Sequence, residues 1–107
     1  LRLMRHRYRH AVCVPEKLVE AFTKLGTESE HVWRTCKNEN NFAGFAPYLE
    51  KILAMVKEIA AIKAEAFGCS PYEALLDQYD AGRTTAEIDE VFGALENFLP
   101  PFVEKVL

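Results

Sequence analysis

Ser70-Pro71-Tyr72-Glu73-Ala74-Leu75-Leu76-Asp77-Gln78-Tyr79-Asp80-Ala81-Gly82-Arg83-Thr84-Thr85-Ala86-Glu87-Ile88-Asp89 contains two helix starts in close succession. In the first, the Ser70 hydroxyl can accept the Glu73 amide while the Glu73 carboxylate reaches back, and Pro71 takes the first helical position, where a missing N–H costs nothing. The short helix that follows ends near Asp80-Ala81-Gly82. In the second, Thr84 or Thr85 caps the next helix, with Glu87 three residues beyond Thr84. Such punctuation writes helix, turn, helix.

Toward the C-terminus, Ile88, Val91, Phe92, Leu95, Phe98 and Leu99 form an apolar stripe at helical period. Pro100-Pro101 should end or sharply kink that helix, leaving Phe102 to Leu107 as a new turn. Toward the N-terminus, a helix is predicted from near Pro47 to Phe67, stopped by Gly68. Its buried face carries Leu49, Ile52, Leu53, Val56, Ile59, Ala60 and Ala66, with Glu50, Lys51, Lys57, Glu58 and Lys63 outside. Lys37 to Asn41 is a turn. Before it, a helix starting at Pro15 buries Leu18, Val19, Phe22, Leu25, Val32, Trp33 and Cys36, with Gly26 marking a bend or a tight contact. A first helix covers about Leu1 to Ala11, and Met4, Tyr8, Ala11 and Val12 on it call for burial.

No segment alternates apolar and polar residues long enough to make a strand. The fold class is all-α, about five helices in an antiparallel array, with residues 1–107 as a single helical unit. At 107 residues, half of them apolar, the chain has material for one modest core. Neither end carries a cap or a polar tail, so the unit reads as a piece of a longer helical protein, cut on both sides.

A formal charge of −3 gives no bulk attraction to nucleic acid, although Arg2, Arg5, Arg7 and Arg9 supply four of the 13 basic residues. No apolar run approaches a membrane span, and the start lacks the apolar core of a signal peptide. Cys13, Cys36 and Cys69 are odd in number and widely spaced, which fits free thiols in a reducing cytoplasm rather than a disulfide framework.

The tempting constellation is His6-Arg7-Tyr8-Arg9-His10, two histidines four apart on one helical face. A peptidase helix of this spacing needs a carboxylate after the first histidine to deprotonate the metal-bound water, and Arg7 stands there. The neighbouring arginines also repel a cation, so a solvated or carboxylate-paired basic face is the preferred reading. His31 reads as a packing residue, and Tyr72 and Tyr79 as core or groove lining. Asp77, Asp80, Asp89 and Glu90 sit at helix ends, where capping accounts for them. No catalytic, metal-binding or cofactor-binding residue is therefore expected in this chain.

Several segments, in collinear order, resemble the thermostable carboxypeptidase (carboxypeptidase Taq) family of zinc metallopeptidases. They are Met4 to Ala11, Val14 to Ala21, His31-Val32-Trp33-Arg34, Asn41-Phe42, Phe45 to Glu50, and the block Pro71 to Asp77 with Tyr79 to Gly82 and Thr84-Thr85. The resemblance implies the N-terminal helical region of a largely helical enzyme, commonly a homodimer, that removes single residues from peptide C-termini. In that family zinc is held by two histidines of an HExxH helix and a downstream glutamate. No HExxH occurs in these 107 residues. The expected role is thus a wall or lid over the substrate groove, with zinc belonging to the full-length parent and the remainder of that polypeptide as the main partner. The rival expectation is a stand-alone helical interaction module.

Overall fold

The computed structural model describes all 107 residues, Leu1–Leu107. Five helices follow one another without a strand: α1 Arg2–Val12, α2 Glu16–Asn38, α3 Phe42–Phe67, α4 Pro71–Leu76 and α5 Thr85–Val106. Helices α2 and α3 form an antiparallel hairpin, and α4 packs against α3.

The hairpin turn explains why α3 begins earlier than Pro47 signals. Asn40 adopts a left-handed conformation with φ 53°, which asparagine tolerates better than most residues. The Asn41 amide then donates to the Cys36 carbonyl at 2.8 Å, and its side-chain oxygen accepts the Gly44 amide at 2.9 Å, capping α3. A Cβ at Gly44 would lie 2.9 Å from Asn41 Nδ2 and 3.1 Å from Cys36 Sγ, so a side chain here would press on the cap of α3 and on α2. Pro47 falls inside α3 instead of opening it. At the other end Gly68, φ 71°, closes the helix with its amide on the Ala64 carbonyl at 2.8 Å.

Both capping boxes form. Ser70 accepts the Glu73 amide and Thr84, not Thr85, accepts the Glu87 amide, each with the reciprocal carboxylate bond. Pro15 lies at the N-cap of α2 rather than within it. Its carbonyl accepts the Leu18 and Val19 amides at 2.9 and 3.1 Å. Gly26 marks neither a helix break nor a tight contact: α2 runs through it, and a Cβ there would meet open space. Helix α5 likewise continues through Pro100 and Pro101 to Val106. Those two residues cannot donate backbone hydrogen bonds, and the Phe98 and Phe102 rings stack across them at 5.3 Å.

The expectation of a modest core needs correction. Only Val14, Cys36, Ala60 and Ala74 are buried apolar residues, joined by Ser29 and by Lys63, which the helical pattern places outside. The accessible surface is 8707 Å², against about 6,100 Å² for a compact monomer of this mass. The radius of gyration is 18.7 Å, against about 13 Å for a compact chain of this length. Met4, Tyr8, Ala11 and Val12 of α1 are exposed, as are Val19, Trp33, Leu53 and Ala66. Val91, Phe92, Leu95, Phe98 and Leu99 on α5 are exposed too. The helical period is correct in each case, but the chain holds no element to cover these faces.

Ala74 is fully buried, on the helix that packs against α3. Ala74→Leu forces a larger side chain into that contact and should cost about 1–3 kcal/mol. A urea midpoint measured for both proteins checks this, with an unchanged midpoint as the contrary result.

Candidate functional site

The polar side chains that converge do so at the junction of α1, α4 and the turn into α5. His6 and His10, one turn apart on α1, face the same direction. Asp77 caps the C-terminal end of α4, and the chain doubles back through Gly82, whose φ of 84° suits glycine. The Gly82 amide donates to Asp77 Oδ1 at 2.7 Å and fixes the carboxylate. Its other oxygen, Oδ2, accepts a hydrogen bond from His10 Nε2 at 2.7 Å, and His6 Nε2 lies at the same distance from it. His6 Nε2 is also 3.5 Å from the Asp77 carbonyl oxygen.

The far side of this junction is aromatic. The His10 ring stacks on Phe67 with centroids 4.3 Å apart, and the His6 ring meets His10 edge-on at 5.0 Å. Arg9 places its guanidinium 4.6 Å from the Phe67 centroid and donates from Nη2 to the Ala66 carbonyl at 3.2 Å. The carboxylate pairing expected for the basic face thus falls to the histidines, while Arg9 rests on an aromatic ring.

Burial pushes the Asp77 carboxyl upward, but the Gly82 amide, the His10 hydrogen bond and the charges of His6 and His10 outweigh it, so Asp77 is held below its usual range. The nearby Cys69 thiol is pushed up by burial and by the Glu73 and Asp77 carboxylates, the opposite of an activated nucleophile. Glu73 is pulled down to about 2 by the Ser70 hydroxyl, then by the Thr85 amide and hydroxyl and the Ser70 amide. Its Oε2 takes the Ser70 amide at 3.2 Å and hydroxyl at 2.9 Å. Its Oε1 takes the Thr85 amide at 3.2 Å and hydroxyl at 2.9 Å. One carboxylate therefore caps α4 and ties it to the first residue of α5. An open hollow of about 350 Å³ lies here, lined among others by His6, Phe67, Cys69, Glu73, Asp77 and Arg83.

The ligand-capable atoms of His6, His10 and Asp77 all lie within 4.8 Å of one another. Asp77 joins the histidines from 67 and 71 residues away, a juxtaposition that spacing along one helix cannot reveal. The remaining candidates stay apart. Asp80 pairs with Arg83 at 3.1 Å, and His31, Asp89 and Glu90 are exposed. Tyr72 and Tyr79 line no core, being 68% and 90% exposed. Cys13, Cys36 and Cys69 are all free thiols.

A profile of the Carboxypeptidase Taq (M32) metallopeptidase family matches residues 1–107. Thermostable carboxypeptidase 1 of Pyrococcus furiosus is 28% identical over 107 residues, covering 100% of this chain and 21% of that protein. Carboxypeptidase 1 of Bacillus subtilis is 29% identical over 97% of this chain and 20% of its own length. Among solved structures, Trypanosoma cruzi metallocarboxypeptidase 1 superposes with a TM-score of 0.83 at 39% identity, covering 98% of this chain and 21% of the other. The chain thus spans about a fifth of the length of the relatives it matches.

The Glu73 shift makes the α4–α5 tie acid-resistant. A carboxylate depressed in the folded state contributes fully above its unfolded value, near 4.5, and loses that contribution as pH falls through about 2. Hydrogen exchange of the Thr85 amide, referenced to an α2 amide, should hold its protection from pH 6 to 4.5 and lose it progressively toward pH 2. In Glu73→Gln that pH dependence should vanish. A Glu73 carboxyl titrating near 4.5 by NMR is the contrary result.

Proposed function

The chain belongs to the carboxypeptidase Taq (M32) metallopeptidase family over its full length, and from that membership we propose that it is the N-terminal helical part of a zinc-dependent metallocarboxypeptidase. In this reading the parent enzyme releases C-terminal residues from peptides, and this piece scaffolds or gates the substrate groove. The observation that carries the proposal is a match running through every residue of the chain while spanning about a fifth of each relative. The large apolar face of α5 supports it, because a helix cut from its surroundings leaves its former contacts exposed.

The peptidase zinc does not fit the residues present. The chain contains no HExxH, and its one histidine pair at helical spacing has Arg7 where the water-activating carboxylate is required. Hydrolysis is accordingly assigned to the remainder of the parent polypeptide, which is also the main binding partner, and no step of it is assigned to a residue here. No helix is long and apolar enough to cross a membrane. A cytoplasmic, dimeric parent that does not bind nucleic acid completes the proposal. A stand-alone interaction module would use the α5 face to receive a partner helix, and no observation favours it over the family match.

The reading frame downstream of Leu107 should encode HExxH followed by a glutamate ligand, and the purified 107-residue chain should release no residues from peptide C-termini. A parent gene lacking the motif, or chelator-sensitive carboxypeptidase activity in the chain alone, overturns the assignment.

A further inference from the structure

We propose that His6, His10 and Asp77 form a binding site for a first-row divalent metal ion such as Zn²⁺, which staples α1 to the α4–α5 turn. Two imidazoles and one carboxylate are a donor set suited to zinc, leaving one outward position for water in a tetrahedral site. The geometry is close to what such an ion needs. His6 Nε2 and His10 Nε2 each lie 2.7 Å from Asp77 Oδ2. Donors bound at ~2.0–2.1 Å in a tetrahedron stand about 3.3 Å apart, so the carboxylate must withdraw by about 0.6 Å and donor atoms that now spread over as much as 4.8 Å must draw together around the ion.

The surroundings prepare this arrangement. The Gly82 amide holds Asp77 Oδ1, so the carboxylate is oriented from its outer side, as the carboxylates of metal sites commonly are. Phe67 stacks on His10 and restrains its ring. His6 opens onto the hollow beside it, which gives an ion an entry path. Of the arginine row that weighs against a metal, Arg9 is held by Phe67 and the Ala66 carbonyl.

Two features limit affinity rather than abolish it. Arg2, Arg5 and Arg9 line one hollow with His6, Arg83 lines the other, and all four oppose a cation. His10 Nδ1 is buried without a partner, so no acceptor in the chain fixes its tautomer. The affinity should therefore be weaker than that of a site without these features. Glu73 is occupied by Ser70 and Thr85, and no free carboxylate stands ready to activate a bound water. The ion is structural.

The test uses the full 107-residue chain and Zn²⁺ alone. Long-range ¹H–¹⁵N spectra should show the His6 and His10 Nε2 signals shifting together to a 1:1 endpoint while His31 stays in place, with a large excess of Mg²⁺ failing to compete. Asp77→Asn and His6→Gln should each weaken binding at least about tenfold. If Asp77→Asn unfolds, the wild-type spectra and His6→Gln still decide. Absence of saturation at millimolar Zn²⁺, a His31 shift equal to the others, or unchanged affinity in His6→Gln each overturns the proposal and leaves a purely hydrogen-bonded cluster.

Discussion

Asp77 is the group on which the tertiary arrangement of this chain turns. Its side chain reaches three segments: α1 through His6 and His10, its own helix α4 as the C-terminal cap, and the turn into α5 through the Gly82 amide. Charge-assisted bonds of this kind are roughly twice as strong as neutral ones. They matter more than usual here because α1 has no buried residue of its own. Where burial is absent, a few polar contacts and one aromatic stack must determine where a helix lies. Glu73, a single helical turn before Asp77, acts in the same way by joining Ser70 to Thr85. The pair fixes a junction that apolar packing leaves undetermined.

The surface accounts for this reliance on polar ties. An excess of some 2,600 Å² over a compact monomer of equal mass means that much of the apolar periodicity finds no partner within the chain. The α2–α3 hairpin and α4 bury Val14, Cys36, Ala60 and Ala74, and little else. Amphipathic helices form because their sequences encode them, but in proteins most helical stability comes from packing the apolar face. The missing packing surface is what membership in a family of proteins about five times longer leads one to expect.

Local structure is legible in the sequence because local chemistry sets it. Ser70 with Glu73, Thr84 with Glu87, and Gly68 each mark a boundary where the structure has one. The misses share a physical cause. Pro47 and Pro100-Pro101 are strong single-residue signals, but helix continuation depends on the surrounding caps and bonds, and at Pro47 the Asn41 cap and the glycine contact at Gly44 prevail. Burial of Met4, Tyr8 and the α5 stripe follows from period alone, and period gives the face without saying what lies opposite it. The histidine pair is visible on α1, but its acceptor is not. Asp77 can be recognised only as a turn residue until folding brings it to His10.

The two halves of the chain therefore answer to different forces. The junction of α1 with α4 is closed by bonds among residues of this chain. Helix α5 is tied only at its first turn, through Glu73 and the Thr84 box, and its remaining apolar face has no partner here. Past Gly93, where every residue is exposed, the position of α5 must be set by whatever covers Phe98, Phe102 and Val106.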